Sequence, residues 1–165
     1  VEERINLPEA DLPIRAFIPE DYIPEEMQRL NMYRKMAATQ TLDDVCSIEA
    51  ELLDRFGQMP REVSNLLRVL RIRVKAHKAR IAYITHDRRN VIVKFYGVRK
   101  LSDIALAKIY AKMREHFSTT TLSKVMFQRD QILIEYGELS ENTLLRLIEE
   151  LLDCLHEYPP KPELP

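Results

Sequence analysis

The spacing of the apolar residues changes near residue 80, and this change limits the possible folds more than any other feature. Before that point, one set of apolar residues recurs at intervals of three or four, which is the period of an amphipathic helix. These residues are Val63, Leu66, Leu67, Leu70 and Val74. In residues 81–85 and 91–96 the apolar side chains alternate with polar ones, which is typical of half-buried strands. The sequence therefore predicts an α+β fold, with a helical N-terminal half and a C-terminal half of β-hairpins alternating with helices.

Three helices are predicted in the N-terminal half. Pro24 begins the first helix, and Thr41 caps the second, with Asp44 three residues later in position to complete a capping box. Gly57 ends the second helix and Pro60 provides the first position of the third. The first helix should bury the apolar residues that recur along one of its faces. These are Met27, Leu30, Tyr33 and Ala37.

Two similar units are predicted in the C-terminal half. Each consists of a hairpin, a glycine and a helix, the first with Gly97 and a helix over residues 102–116. In the second, strands at residues 122–128 and 131–136 are followed by Gly137 and a helix from residue 140. Strands often end in an aromatic residue and a glycine, so duplication and coincidence both stay open.

The prolines suggest how the chain is divided. Four of the nine lie within residues 1–24, where they prevent a helix and favour an extended arm. We expect an arm at residues 1–23, a helical half at 24–79, a hairpin-helix half at 80–158 and a disordered tail at 159–165. The apolar residues of the arm could pair as an edge strand, and these are Leu12, Ile14, Phe17 and Ile18. Because Val1 is not a methionine, we expect the chain to be a piece of a larger protein.

The composition is that of an ordinary soluble domain. Hydrophobic residues make up 45% of the chain and charged residues 31%, with a formal net charge of -1, so the total charge favours neither a polyanion nor a membrane surface as partner. Cys46 and Cys154 are the two cysteines, and each lies on a predicted apolar helix face. We therefore expect reduced, buried thiols in a cytoplasmic protein, with no membrane-spanning segment.

The residues needed for catalysis or cofactor binding are missing. A phosphate-binding loop needs several glycines, and the chain has only Gly57, Gly97 and Gly137. The histidines lie far apart and lack partners at the spacing of zinc ligands. We expect no enzyme activity, no ATP hydrolysis and no cofactor in this domain.

An acidic stripe is predicted on the second helix. Glu51 and Asp54 are three residues apart and should neighbour each other in open water, with Asp44 one heptad earlier. We expect the opposite side of this helix to bury Leu42, Val45, Cys46, Leu53 and Phe56, with Leu52 at its edge.

A basic stripe is predicted on the third helix. It comprises Arg61, Arg68, Arg71 and Lys75, which lie away from the apolar line. Such a stripe is either a solvated face or a site for nucleic-acid phosphates. An autonomous nucleic-acid-binding module using residues 60–79 is therefore the alternative function, although no aromatic residue is interleaved for base stacking.

Two motifs resemble a known family. Residues 51–60 (Glu-Leu-Leu-Asp-Arg-Phe-Gly-x-x-Pro) are similar to a signature of the C-terminal domain of bacterial transcription-repair coupling factor. Residues 18–24 (Ile-Pro-Glu-Asp-Tyr-Ile-Pro), followed by Arg29-Leu30 and Tyr33-Arg34-Lys35, are similar to the opening of that domain. The motifs occur in the same order and at the spacing that the family shows.

The resemblance implies a regulatory function. In that family the whole protein is an ATP-driven DNA translocase that displaces stalled RNA polymerase, with ATP and Mg bound by motor domains that this chain lacks. The C-terminal domain docks on an N-terminal module similar to UvrB and masks the surface that recruits UvrA. The resemblance assigns the acids facing arginines of that module to Glu51 and Asp54. It also implies a monomer that reaches DNA through other domains.

Overall fold

The computed structural model describes residues 4–163, and the chain divides into two units. The first unit comprises the described residues up to Leu7 together with Ile14–Val74. The second comprises Pro8–Pro13 and the residues from Lys75 onward. The division therefore falls within the proline-rich arm and near the end of the third helix.

Three helices form the first unit. They are α1 (Glu26–Ala37), α2 (Leu42–Phe56) and α3 (Arg61–Lys78), the last of which continues past the boundary of the unit. The predicted capping box is confirmed, because the Thr41 hydroxyl accepts from the Asp44 amide at 3.1 Å and the Asp44 carboxylate accepts from the Thr41 amide at 3.0 Å. Gly57 follows α2 with a φ of 80°, a conformation that glycine adopts without strain.

The predicted apolar face of α3 is confirmed, that of α1 is wrong, and that of α2 is partly wrong, since Val45 is buried and Phe56 packs against the core as predicted. In α1, Met32 and Met36 are buried, whereas Met27, Leu30 and Tyr33 are exposed. In α2 the buried residues are Val45, Ile48 and Leu52, and both Leu53 and Cys46 are exposed. Each of these two helices carries more apolar residues than the elements packed against it can bury. The packing partners, rather than the apolar residues themselves, therefore decide which arc is buried.

A four-stranded antiparallel sheet forms part of the second unit. Its strands are β1 (Ile81–His86), β2 (Asn90–Phe95), β4 (Val125–Phe127) and β5 (Gln131–Glu135), and their spatial order is β1-β2-β5-β4. The two predicted hairpins therefore join into one sheet. Its strands alternate as expected, with Val91, Val93, Ile132 and Ile134 fully buried.

Serine-capped helices follow the two hairpins. They are α4 (Asp103–Arg114) and α6 (Glu141–Glu157), with Ser102 accepting from the Ala105 amide at 3.0 Å and Ser140 from the Thr143 amide at 3.1 Å. A short helix, α5 (Thr119–Leu122), occupies the start of the strand predicted at residues 122–128. The α+β fold class is confirmed.

The two proline-rich ends differ from expectation. The arm forms no strand through Leu12–Ile18; instead Ala10 makes an isolated parallel bridge to Ile84, with the Asp11 amide 2.9 Å from the Ile84 carbonyl oxygen. In the predicted disordered tail, β6 (Lys161–Pro162) pairs with β3 (Arg99–Lys100). Residues 1–3 of the arm and 164–165 of the tail lie outside the described residues. None of the helices described between residues 4 and 163 is long and apolar enough to cross a membrane.

Candidate partner-binding surface

Tyr22 connects the two sequence motifs. Its hydroxyl lies 2.9 Å from the carbonyl oxygen of Gly57 and 3.2 Å from that of Leu52, and its ring centroid lies 6.0 Å from that of Phe56. Ile23, the next residue, is fully buried in the core of the first unit. Burial raises the pKa of Tyr22, which therefore keeps its proton and donates it to these carbonyls. The motif at residues 18–24 thus fixes the end of α2, where the acidic residues lie.

Glu51 is held by two cations. Lys35 on α1 donates to both of its carboxylate oxygens, at 2.7 and 2.8 Å, and Arg55 donates to one of them at 2.9 Å. The hydrogen bond from Lys35 is the largest cause that lowers the pKa of Glu51, and Arg55 lowers it further. The side chain of Glu51 is 29% exposed. The expectation that Glu51 lies in open water is therefore wrong.

Asp54 differs from Glu51. It is exposed, and within residues 4–163 its carboxylate makes neither a hydrogen bond nor an ion pair. It lies three residues after Glu51 on the same helix. It is therefore the member of the predicted stripe whose charge is fully available to a partner.

Asp44 has a structural function. One of its carboxylate oxygens accepts from the amides of Gln40 and Thr41, at 2.9 and 3.0 Å. These hydrogen bonds, first that from Gln40, lower the pKa of Asp44. Asp44 is exposed and negatively charged, but its carboxylate is tied to the start of α2.

Two of the four cations in the predicted basic stripe of α3 are paired with carboxylates. Arg71 donates to Glu49 at 2.5 Å, and Lys75 donates to Asp153 at 3.0 Å. Arg61 and Arg68 also have interaction partners, so neither is free. All four side chains thus have partners within the domain, which weakens the case for phosphate binding on this helix.

Sequence reasoning missed both cations at Glu51. Arg55 lies four residues after Glu51, and this spacing could have identified the pair. Lys35 lies sixteen residues earlier on another helix, so no local signal indicated it. The cysteine prediction is partly wrong, since both thiols are free but Cys46 is exposed. Burial raises the pKa of Cys154 to about 11. Among residues 4–163 no cluster of His, Cys, Asp or Glu could hold a metal ion.

Comparison with known proteins identifies the family. The model of the TRCF domain matches residues 12–106, which is more than half of the chain. This chain belongs to the TRCF domain family. The family resemblance seen in the two motifs is thereby confirmed, because residues 18–24 and 51–60 both lie within the matched region.

Relatives of this TRCF domain cover most of its length. It is 29% identical over 156 residues to the transcription-repair-coupling factor of Staphylococcus aureus strain USA300, covering 94% of this chain and 13% of the relative. It is 26% identical over 122 residues to that of Escherichia coli strain K12, covering 74% of this chain and 11% of the relative. The chain therefore spans about an eighth of the length of these relatives.

A solved structure has the same fold as this TRCF domain. A crystal structure of the C-terminal domain of transcription-repair coupling factor matches with a TM-score of 0.68 and 15% identity. The match covers 94% of this chain and 96% of the other. The chain thus has the fold of that C-terminal domain.

Proposed function

We propose that this chain is the autoinhibitory C-terminal regulatory domain of a cytoplasmic DNA translocase that couples transcription to nucleotide excision repair. In this proposal the domain is not itself an enzyme, and ATP hydrolysis, displacement of RNA polymerase and contact with DNA belong to other domains. Membership of the TRCF domain family and the relation to transcription-repair-coupling factors support the proposal.

The domain acts by docking. Its acidic surface at the end of α2 faces arginines on an N-terminal module similar to UvrB, and this contact masks the surface that recruits UvrA. The observation that carries this proposal is the exposed Asp54 carboxylate, which has no partner among the described residues and lies beside Glu51. Arginine is the natural partner for such a carboxylate, because its planar donors form charge-assisted, often bidentate hydrogen bonds.

Glu51 makes the docking reversible. An arginine of the partner can form an ion pair with Glu51 only by displacing Lys35 or Arg55, so docking exchanges one ion pair for another. Exposed pairs of this kind are worth about 0.2–1 kcal/mol each, and the net gain is smaller still. Asp54 supplies a new pair without such an exchange, and we expect it to dominate the contact. Asp44 adds negative charge but stays bound to the helix start.

The decisive experiment is a titration of this domain with the separately expressed UvrB-like module. We expect Asp54→Lys to weaken docking by about five- to tenfold, since an attraction becomes a repulsion. The matched control is Glu115→Lys, which makes the same charge change at an exposed position on the second unit. Asp54 is a cleaner target than Glu51, whose reversal would place a third cation beside Lys35 and Arg55.

The consequences extend to the full-length protein. There, charge reversal at Asp54 and Glu51 should expose the UvrA-binding surface and raise basal ATP hydrolysis. Equal docking of Asp54→Lys and the unchanged domain, with unaltered ATP hydrolysis, would contradict the proposed function.

A further inference from the structure

The second unit contains a cavity of about 470 Å³, and among residues 4–163 the Lys, Arg, Asp and Glu side chains that line it are all Lys or Arg. Lys78 and Arg80 contribute from the end of α3, Arg99 from β3 and Lys161 from β6. None of the carboxylates of residues 4–163 lines the cavity. Its apolar lining includes the buried side chains of Phe95 and Leu155 and a wall of three prolines. The cavity thus combines apolar surface with concentrated positive charge.

None of these four cations is neutralised within the part of the chain that the structure describes. Other cations of the second unit do have carboxylate partners, as Lys75, Lys112 and Arg129 show. The chain has 26 acidic residues for 25 Lys and Arg, so acids are not scarce. Four uncompensated cations around one cavity repel one another, and a bound anion would relieve this repulsion.

Arg80 gives independent evidence of function. Its φ is 59°, and within residues 4–163 it is the only residue other than glycine with a positive φ. Glycine is the usual residue where a helix ends in this left-handed conformation, and a larger side chain there is strained. Strain of this kind is often retained where a side chain is needed at a functional site. Here it places a guanidinium at the rim of the cavity.

Two hydrogen bonds position the lining before any ligand arrives. Arg99 donates from Nε to the Tyr96 carbonyl oxygen at 3.0 Å, which leaves its two terminal nitrogens for a ligand. Nδ1 of His156 lies 3.1 Å from the Lys78 carbonyl oxygen, and it must be the donor because a carbonyl only accepts. The pairing of β3 with β6 fixes Arg99 on one strand beside the strand that carries Lys161.

We propose that this cavity binds an acidic peptide segment, with Asp or Glu side chains paired to the four cations and an apolar side chain against Phe95 and the prolines. A phosphate fits less well. An inorganic phosphate could pair with the cations, but it would leave the apolar lining of Phe95, Leu155 and the prolines uncovered, whereas a peptide can cover that lining with an apolar side chain. This site is separate from the acidic surface of α2 and does not depend on docking through Asp54.

The test is a fluorescence titration of the 165-residue chain with a labelled hexapeptide, Asp-Glu-Leu-Asp-Glu-Leu. The matched probe is Asn-Gln-Leu-Asn-Gln-Leu, which keeps shape and removes charge. We expect the acidic peptide to bind at least about tenfold more tightly, and the Arg99→Gln/Lys161→Gln variant to lose about tenfold in affinity. The control is Arg88→Gln, an exposed cation in the β1–β2 turn, which should bind as the unchanged chain does.

Arg80→Gly is a second variant, and a loss of peptide binding in it would not be due to unfolding, because glycine suits the backbone at this position. It should raise the thermal unfolding midpoint while weakening peptide binding. Three results would each overturn the proposal. The two hexapeptides could bind equally, or Arg88→Gln could lose as much peptide affinity as Arg99→Gln/Lys161→Gln. Inorganic phosphate or hexathymidine could also bind more tightly than the acidic peptide. None of these results bears on docking through Asp54, which the titration with the UvrB-like module tests separately.

Discussion

Lys35 and Glu51 join two helices through an ion pair in which one ammonium group contacts both carboxylate oxygens, at 2.7 and 2.8 Å. The pair lies at the surface, with 50% of the Lys35 side chain and 29% of the Glu51 side chain exposed. It therefore adds little to stability. Its greater effect is to add a second cation, besides Arg55, that competes with a partner for Glu51.

Replacing Lys35 should strengthen docking. In Lys35→Met the aliphatic part of the side chain is kept, and Glu51 retains only Arg55 as a competitor for the partner's arginines. We expect docking to the UvrB-like module to tighten about threefold at low salt, with the gain shrinking as salt rises. Lys100→Met, a matched change on the second unit, should leave the affinity unaltered. Weaker docking of Lys35→Met would show that the pair orders Glu51 for its partner rather than competing with it.

Removing the Tyr22 hydroxyl should destabilise the first unit. Tyr22→Phe keeps the ring against Phe56 but removes the donor to the Gly57 and Leu52 carbonyls. We expect the free energy of unfolding in urea to fall by about 0.5–1.5 kcal/mol. Tyr96→Phe is the control, since Tyr96 is 60% exposed. An equal effect of the two substitutions would mean that the bond to Gly57 contributes nothing.

Substituting Arg80 should stabilise the fold. Glycine relieves the left-handed strain at φ 59°, although part of the gain is offset by the greater freedom of the unfolded chain. We expect Arg80→Gly to raise the free energy of unfolding by about 0.5–1 kcal/mol. Arg80→Ala keeps the strain and should give no gain. Calorimetry of the three chains would distinguish these outcomes.

Acid should weaken the start of α2 through Asp44. Hydrogen bonds from Gln40 and Thr41 lower the pKa of Asp44 below 3.8, so its folded form releases the proton more readily than its unfolded form. The carboxylate therefore stabilises the fold above pH 3.8, and this contribution is lost as the pH falls through the lowered pKa. Unfolding measurements should find Asp44→Asn less stable than the unchanged chain at pH 6, with the difference in free energy of unfolding shrinking as the pH falls below 3.8. A difference that stays constant with pH would contradict this explanation.

The candidate site was only partly predictable. The capping box at Thr41 and the glycine cap at Gly57 follow from residues within one helical turn, because each bond joins near neighbours in the chain. The exposed position of Asp54 also followed from helical phase. The ion pair between Glu51 and Lys35 could not be predicted from helical phase, because the two residues come together only when α1 packs beside α2. The same limit explains why Leu53 was expected in the core and Leu52 only at its edge.

The sequence by itself determined the α+β class, the change of period near residue 80, the caps of the helices and the motifs that identify the family. These are local signals, read from spacing and from hydrogen bonds between near neighbours. Only the tertiary structure decided which arcs of α1 and α2 are buried, how the hairpins join into one sheet, and that β6 pairs with β3. It also decided which charges have partners. Ion pairs and strand pairs link residues far apart in the chain, so they depend on how the elements pack rather than on any segment alone.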